Sequence, residues 1–340
     1  MGTGARFARC GDAVVSARRT TSAMIASLDA EGRPTIAAPF GHALADLACE
    51  RPAIVGLSAD LAKYTDLDVF ARAHPDRFYQ MGMAEQALLA AAAGLAREGF
   101  QPFATTYAVF AARRAYDFVC LAIAEEKLDV KIVCALPGLT SGYGPSHQAT
   151  DDLAIFRAVP GLTIVDPCDA VEIGQATRAI ADHPGPVYMR LLRGQVPRVL
   201  GDDYRFELGK AKMLRQGADV LIVSTGFMTM RALDAADRLA ADRIGAAVLH
   251  VPTVKPLDTA AIVEACSAGG RLVVTAENHG ITGGFGEAVA AVLLRAGVTP
   301  VFRQIALPDA FLDAGALPTL HDRYGISLRA VVARIRAWLA

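Results

Sequence analysis

Short, wholly apolar runs recur along this chain, each bounded by turn-forming residues and followed by a stretch of helical character. Runs at 53–57, 103–105, 130–135, 162–165 and 187–190 read as buried strands, and 85–97, 108–125, 152–158 and 170–181 as the helices between them. A strand that is apolar throughout has both faces covered, and helical crossovers join strands that run parallel. The pattern specifies an α/β protein of two doubly wound domains with mainly parallel sheets. The stretch 195–208, with Pro197, Gly201 and paired aspartates, reads as an interdomain linker. Alternation then restarts, with strands at 220–224, 246–251, 271–275 and 301–305, a Lys-Pro turn after 251, and helices at 228–241, 259–266, 285–296 and 328–339. The expected division is an extension over 1–36, a first domain over 37–200 and a second over 201–340.

Charge narrows the function classes. Lys and Arg total 34 against 35 Asp and Glu, a net charge of −1. Such a chain has no electrostatic grip on a polyphosphate backbone, so nucleic acid is not an expected partner. No run of about 20 apolar residues is present, so no membrane span is expected. Six cysteines at scattered positions form no CxxC and no metal-type cluster; they read as reduced thiols of a cytoplasmic protein. Arg6, Arg9, Arg18, Arg19 and Arg33 enrich the extension, which lacks an apolar secretory core. It reads as a solvent-facing segment or an arm onto a partner, with an organelle transit peptide as the other reading.

Three segments stand where α/β sheets gather ligands, just past strand ends. In Met81-Gly82-Met83-Ala84-Glu85-Gln86 a carboxylate opens a helix, either complementing the helix dipole or serving a site. In Thr105-Thr106-Tyr107-Ala108-Val109-Phe110 two rings lie three residues apart, on one helical face, as core or as the wall of a planar ligand. Arg113 and Arg114 follow. In Gly142-Tyr143-Gly144-Pro145-Ser146-His147-Gln148, Gly and Pro stiffen a loop that presents His147, able to act as donor or acid–base group near neutral pH. Asp151 and Asp152 read as a helix N-cap. The glycines at 280–286 lack dinucleotide spacing and are discounted as such a site.

Taken in order, these segments resemble the transketolase family of thiamine diphosphate enzymes. The further segments are Ser58-Ala59-Asp60-Leu61, Asp166-Pro167-Cys168-Asp169, Val254-Lys255-Pro256-Leu257-Asp258 and Glu277-Asn278-His279. The likeness runs from about Phe40 to Leu339, covering a pyrimidine-binding domain and a transketolase C-terminal domain. It implies that Glu85 hydrogen-bonds the aminopyrimidine ring and favours its imino tautomer, and that Phe110 and Tyr107 wall the ring. Asp60, Met83 and Arg113 would lie at the cofactor. His147 would face the reactive carbon and steady an oxyanion, so Glu85 and His147 are the expected catalytic pair. The C-terminal domain is expected to serve only dimer burial. The family's metal-binding GDG motif is missing: Gly11-Asp12-Ala13 and Gly201-Asp202-Asp203 do not complete it. Mg²⁺ and the diphosphate would therefore be held by a second polypeptide, the N-terminal subunit. The implied assembly is a heterotetramer around a dimer of this chain.

The resemblance also predicts altered substrate contacts. Ala37 or Ala38 stands where an arginine is expected, Tyr64 for a serine, Ala135 for a histidine and Tyr143 for an aspartate, while Arg193 is retained with Arg190 three residues before it. Tyr64, Tyr143, His147 and Arg193 are the expected substrate-binding set. The expected reaction moves a two-carbon ketol unit from a ketose to an aldose or other aldehyde, with an acceptor other than a standard pentose phosphate. A 2-oxo acid dehydrogenase E1 β-like subunit and a non-catalytic scaffold are the alternatives.

Overall fold

The computed structural model describes residues 33–340. The first half contains β1 (Thr35–Ala37), α1 (Pro39–Glu50), β2 (Ile54–Ser58), α2 (Leu67–Ala73), β3 (Phe78–Gln80), α3 (Glu85–Arg97) and β4 (Gln101–Tyr107). There follow α4 (Ala108–Arg114), β5 (Lys131–Ala135), α5 (Asp152–Arg157), β6 (Thr163–Val165), α6 (Ala170–Asp182), β7 (Val187–Leu191) and β8 (Gln195–Pro197). The second half contains β9 (Lys212–Arg215), β10 (Val220–Ser224), α7 (Phe227–Ala240), β11 (Ala246–His250), β12 (Thr253–Lys255) and α8 (Thr259–Ser267). It ends with β13 (Leu272–Gly280), α9 (Phe285–Arg295), β14 (Val301–Leu307), α10 (Leu317–Arg323) and α11 (Leu328–Leu339).

Two α/β sheets result. The larger runs β12-β6-β7-β5-β4-β2-β3 and the smaller β14-β13-β10-β11-β9. All neighbours are parallel except β12 on β6 and β9 on β11. Every residue of β2, β5, β7, β10 and β11 is buried, as strands covered by helices on both faces require. Even Lys131 lies within β5; its Nζ donates to the carbonyls of His183 at 2.6 Å and Gly185 at 2.8 Å.

Several expectations need correction. The Lys-Pro turn is preceded by a strand: β12, from the second half of the chain, extends the larger sheet beside β6. A three-residue strand paired with a segment about 90 positions earlier carries no periodic signal of its own. The stretch 195–208 is not a bare linker. It contains β8, paired antiparallel with β1, and buries Leu200 and Tyr204 against Cys168. That pairing draws residues 35 and 36 out of the supposed extension; residues 1–32 lie outside the described residues. The helix expected over 108–125 is divided into α4 and a π-helical turn, Phe118–Ala124. Strand β9 and helix α10 were not anticipated. Cys120, Cys134, Cys168 and Cys266 are free, whereas Cys49 is disulfide-bonded, against the reading of six reduced thiols. Among the described residues no helix is long and apolar enough to cross a membrane.

Adjacent parallel strands discharge their C-terminal ends onto one edge of the larger sheet. In spatial order β7, β5, β4, β2 and β3 lead to Arg193, the His147 loop, Tyr107, Asp60 and Glu85 respectively.

Candidate active site at the strand ends

Glu85 is the first residue of α3. Its side chain is only 4% exposed, and both carboxylate oxygens accept from Nη1 of Arg114, at 3.3 and 3.4 Å. The same guanidinium lies 3.9 Å over the ring of Phe110. Phe110 and Tyr107 face each other with centroids 5.6 Å apart. The two rings therefore form a wall beside the acid, which is more than an apolar core or a dipole effect demands.

His147 lies in a single 3₁₀ turn, Pro145–His147, entered through Gly144 at φ 85°. Its ring is surrounded by Phe110 at 5.3 Å, Tyr143 at 5.4 Å and Tyr107 at 6.1 Å. Nδ1 lies 2.9 Å from Ser146 Oγ. Tyr107 is buried, which raises its phenol pKa; nearby Arg193 opposes that rise, and Tyr64 and Tyr143 add to it. These four groups thus share one mouth, with the Arg193 guanidinium 5.7 Å over the Tyr64 ring. Asp60, at φ 60°, and Gly82 both direct backbone N–H groups to Oε1 of Gln80, at 2.6 and 3.4 Å. Gln80 thereby ties the turn after β2 to the turn after β3. Met83, on the latter, is 81% exposed.

Arg113 serves the loop. Its guanidinium pairs with Asp151 at 2.9 Å and donates to the carbonyls of Pro145 at 3.1 Å and Gln148 at 3.4 Å. Asp151 makes no side-chain cap to α5, contrary to the sequence reading. Asp152 is no cap either. It is wholly buried, held by Arg190 at 2.6 and 2.8 Å and by the Tyr188 hydroxyl at 2.6 Å. Burial raises the Asp152 carboxyl pKa, but Arg190 outweighs it and the net shift is downward. Arg190 also reaches Asp166 at 3.2 Å and the carbonyl of Asn278 at 3.3 Å. It braces the sheet end from inside and does not line the mouth with Arg193.

The second domain, expected to carry no part of the site, reaches the loop bearing His147. Asn278 Oδ1 accepts the Leu139 N–H at 2.9 Å. Gln148 Nε2 donates to the carbonyl of Asp313 at 3.1 Å. Arg231 donates to His321 Nδ1 at 2.7 Å, which puts the proton on Nε2, and that N–H donates to the Leu139 carbonyl at 2.7 Å. Burial and Arg231 push the His321 pKa down to about 3, so it stays neutral. Sequence reasoning missed His321 and Arg231, and gave Arg114 and Asn278 no role. Glu277-Asn278-His279 was visible as a motif, but its contacts lie about 140 positions away.

The ring half of a thiamine site fits these residues: a buried acid beside an aromatic wall. A magnesium site does not. Among the described residues the metal-type cluster is Cys168, Glu172 and His250. Its Glu172 is engaged by His250 at 2.8 Å, by the Tyr204 hydroxyl and by the Cys168 N–H at 2.7 Å. A thiolate–imidazole set is also too soft for magnesium.

Comparison with known proteins agrees with this geometry. Residues 33–198 match the family described as transketolase, pyrimidine binding domain, and 209–331 the transketolase, C-terminal domain. A putative uncharacterized transketolase family protein of Sinorhizobium fredii is 69% identical over 324 residues, covering 95% of this chain and 94% of the relative. A 6-deoxy-6-sulfo-D-fructose transketolase subunit of a Clostridium species is 39% identical, covering 82% of this chain and 86% of the relative. A solved split gene transketolase, described as an inactive β4 tetramer, is 42% identical with TM-score 0.81, covering 89% and 97% of the two chains. A Campylobacter jejuni transketolase, at 20% identity and TM-score 0.73, shares the fold; this chain spans 47% of its length.

Proposed function

Because this chain belongs to the transketolase family, we propose that it is the pyrimidine-binding subunit of a split enzyme that transfers a two-carbon ketol unit from a ketose to an aldehyde acceptor. The observation that carries this reading is the juxtaposition of buried Glu85, the Phe110–Tyr107 wall and His147 at the ends of adjacent parallel strands. Thiamine diphosphate, when bound, supplies the carbanion on which ketol transfer depends. Glu85 would hold the ring nitrogen of the aminopyrimidine and bias its tautomer. Phe110 and Tyr107 would orient the ring and exclude water. His147, held by its loop, would donate to the substrate oxygen on which negative charge develops. Arg193 with Tyr64 and Tyr143 would meet the far end of the substrate. The magnesium and diphosphate half falls to a separate N-terminal subunit, in a heterotetramer of two such pairs. Exposed Met83, Tyr143 and Tyr64 around the cleft support a second protein surface there.

The mouth retains Arg193 but carries the phenols of Tyr64 and Tyr143, and the buried end of β5 carries Ala135, where phosphate-gripping groups are expected. Each missing charge-assisted contact removes about 1.5–3 kcal/mol from phosphate binding. The acceptor is accordingly an aldehyde other than a standard pentose phosphate. A relative named for a sulfonated ketose supports substrates outside that set. Co-purification with an N-terminal subunit and assay of ketol transfer tests the proposal, with Glu85→Ala abolishing turnover. Decarboxylation of a 2-oxo acid in place of ketol transfer would assign an E1 β-like subunit, and undiminished turnover by Glu85→Ala a scaffold.

A further inference from the structure

The acid at the heart of this cleft already has a partner. We propose that Arg114 is a placeholder for the cofactor ring: in the free chain its guanidinium occupies the position of the aminopyrimidine, and cofactor entry requires it to swing out. The inference rests on the assignment of Glu85 and Phe110 as the ring-holding pair.

Three observations carry it. First, one flat group makes both contacts assigned to the ring. The guanidinium meets the two oxygens of Glu85 at 3.3 and 3.4 Å and lies 3.9 Å over the Phe110 ring. A guanidinium, like an aminopyrimidine whose ring nitrogen carries a proton, presents an N–H to a carboxylate and a π face for stacking. Two such groups cannot share one carboxylate and the same space above one ring. Second, the pair is asymmetric. Glu85 is 4% exposed and fixed at the start of a helix, whereas Arg114 is 51% exposed at the end of a short one. A buried carboxylate without a partner is costly, but a long side chain at the surface re-solvates easily. Arg114 is therefore the movable member. Third, its neighbour is bound differently. Arg113 is held by a carboxylate and two backbone carbonyls of the His147 loop, so only one of the adjacent arginines is exchangeable. The arrangement keeps the lone subunit's acid satisfied and its ring pocket filled until the cofactor arrives.

Two measurements on full-length protein test this. In the free chain, Arg114→Gln lowers the melting temperature, and the loss disappears in a Glu85→Gln background. In the complex with the N-terminal subunit, titration with thiamine diphosphate and Mg²⁺ shows Arg114→Gln binding about threefold or more tighter than wild type, since the ion pair to Glu85 no longer has to be broken first. Arg114→Lys, which keeps the charge but loses the flat face, falls between the two and serves if the Gln variant folds poorly. Unchanged or weaker cofactor binding by both variants overturns the proposal, the latter by making Arg114 a ligand of the ring. A wild-type complex that binds no thiamine diphosphate overturns the ring assignment itself; the coupling between positions 85 and 114 in the free chain distinguishes that failure from the first.

Discussion

Replacing Arg190 separates a structural from a substrate-binding arginine. Its guanidinium makes two bonds to Asp152, at 2.6 and 2.8 Å, and one to Asp166 at 3.2 Å. All three side chains are at most 5% exposed, so water cannot replace the lost partner. Arg190→Leu leaves two buried carboxylates side by side. Breaking a buried pair of this kind costs about 3–5 kcal/mol. Urea denaturation near neutral pH is the assay, and the midpoint falls accordingly. The pH dependence supplies a sign. Net, Arg190 holds the Asp152 carboxyl below its ordinary value against the opposing effect of burial, so its stabilisation is present above that value and lost as pH falls through the folded one. Without Arg190 both carboxyls rise and are protonated sooner. The gap between variant and wild type therefore narrows on acidification. A variant within about 1 kcal/mol of wild type, with only KM for a substrate raised, would refute the internal-brace reading and return Arg190 to the mouth.

Further outcomes follow from the same structure. Burial raises Glu277 from 4.5 to about 7 even though it accepts the N–H groups of Phe285 and Gly286. The native state thus binds the extra proton, and stability falls by about 3 kcal/mol as pH rises from 4.5 to 7; Glu277→Gln should flatten that limb of a melting-temperature profile. Gly138, at φ 60°, would place a Cβ 2.1 Å from the Asn278 carbonyl. Gly138→Ala therefore destabilises by about 2 kcal/mol or more, whereas Gly209→Ala, at φ 79° with open space around it, costs about 1 kcal/mol of backbone strain; thermal melts compare them. Asp169 accepts the N–H groups of Glu172, Val199 and Leu200, each at 2.8 Å. Asp169→Ala loses a helix cap and the tether of 199–200 together, about 2–3 kcal/mol by chemical denaturation. In the assembled enzyme, kcat/KM for a neutral aldehyde exceeds that for ribose 5-phosphate; the reverse order sinks the acceptor proposal.

Much of the architecture was legible because it is written locally. Continuous apolar runs announced the covered parallel strands, and 85–97, 220–224 and 328–339 agree with their elements to the residue. The candidate site was legible for a related reason. Glu85, Tyr107 with Phe110, and the His147 loop each follow a strand, and parallel strands in one sheet end on one edge. The roles of charged residues were not. Asp152 and Arg190 look like surface groups in a sequence, yet each is buried because the other is.

The amino-acid sequence alone determined the fold class, the strand-end positions of the site residues and the missing GDG motif, since periodicity and short motifs act over a few residues. Tertiary structure decided everything that joins distant positions. It set β12 of the second domain beside β6 of the first, turned Asn278 and His321 into braces of the loop bearing His147, and laid Arg114 across Glu85 and Phe110. Those contacts span from four to more than a hundred positions. They depend on which buried polar group finds which partner, a condition that only the packed chain satisfies.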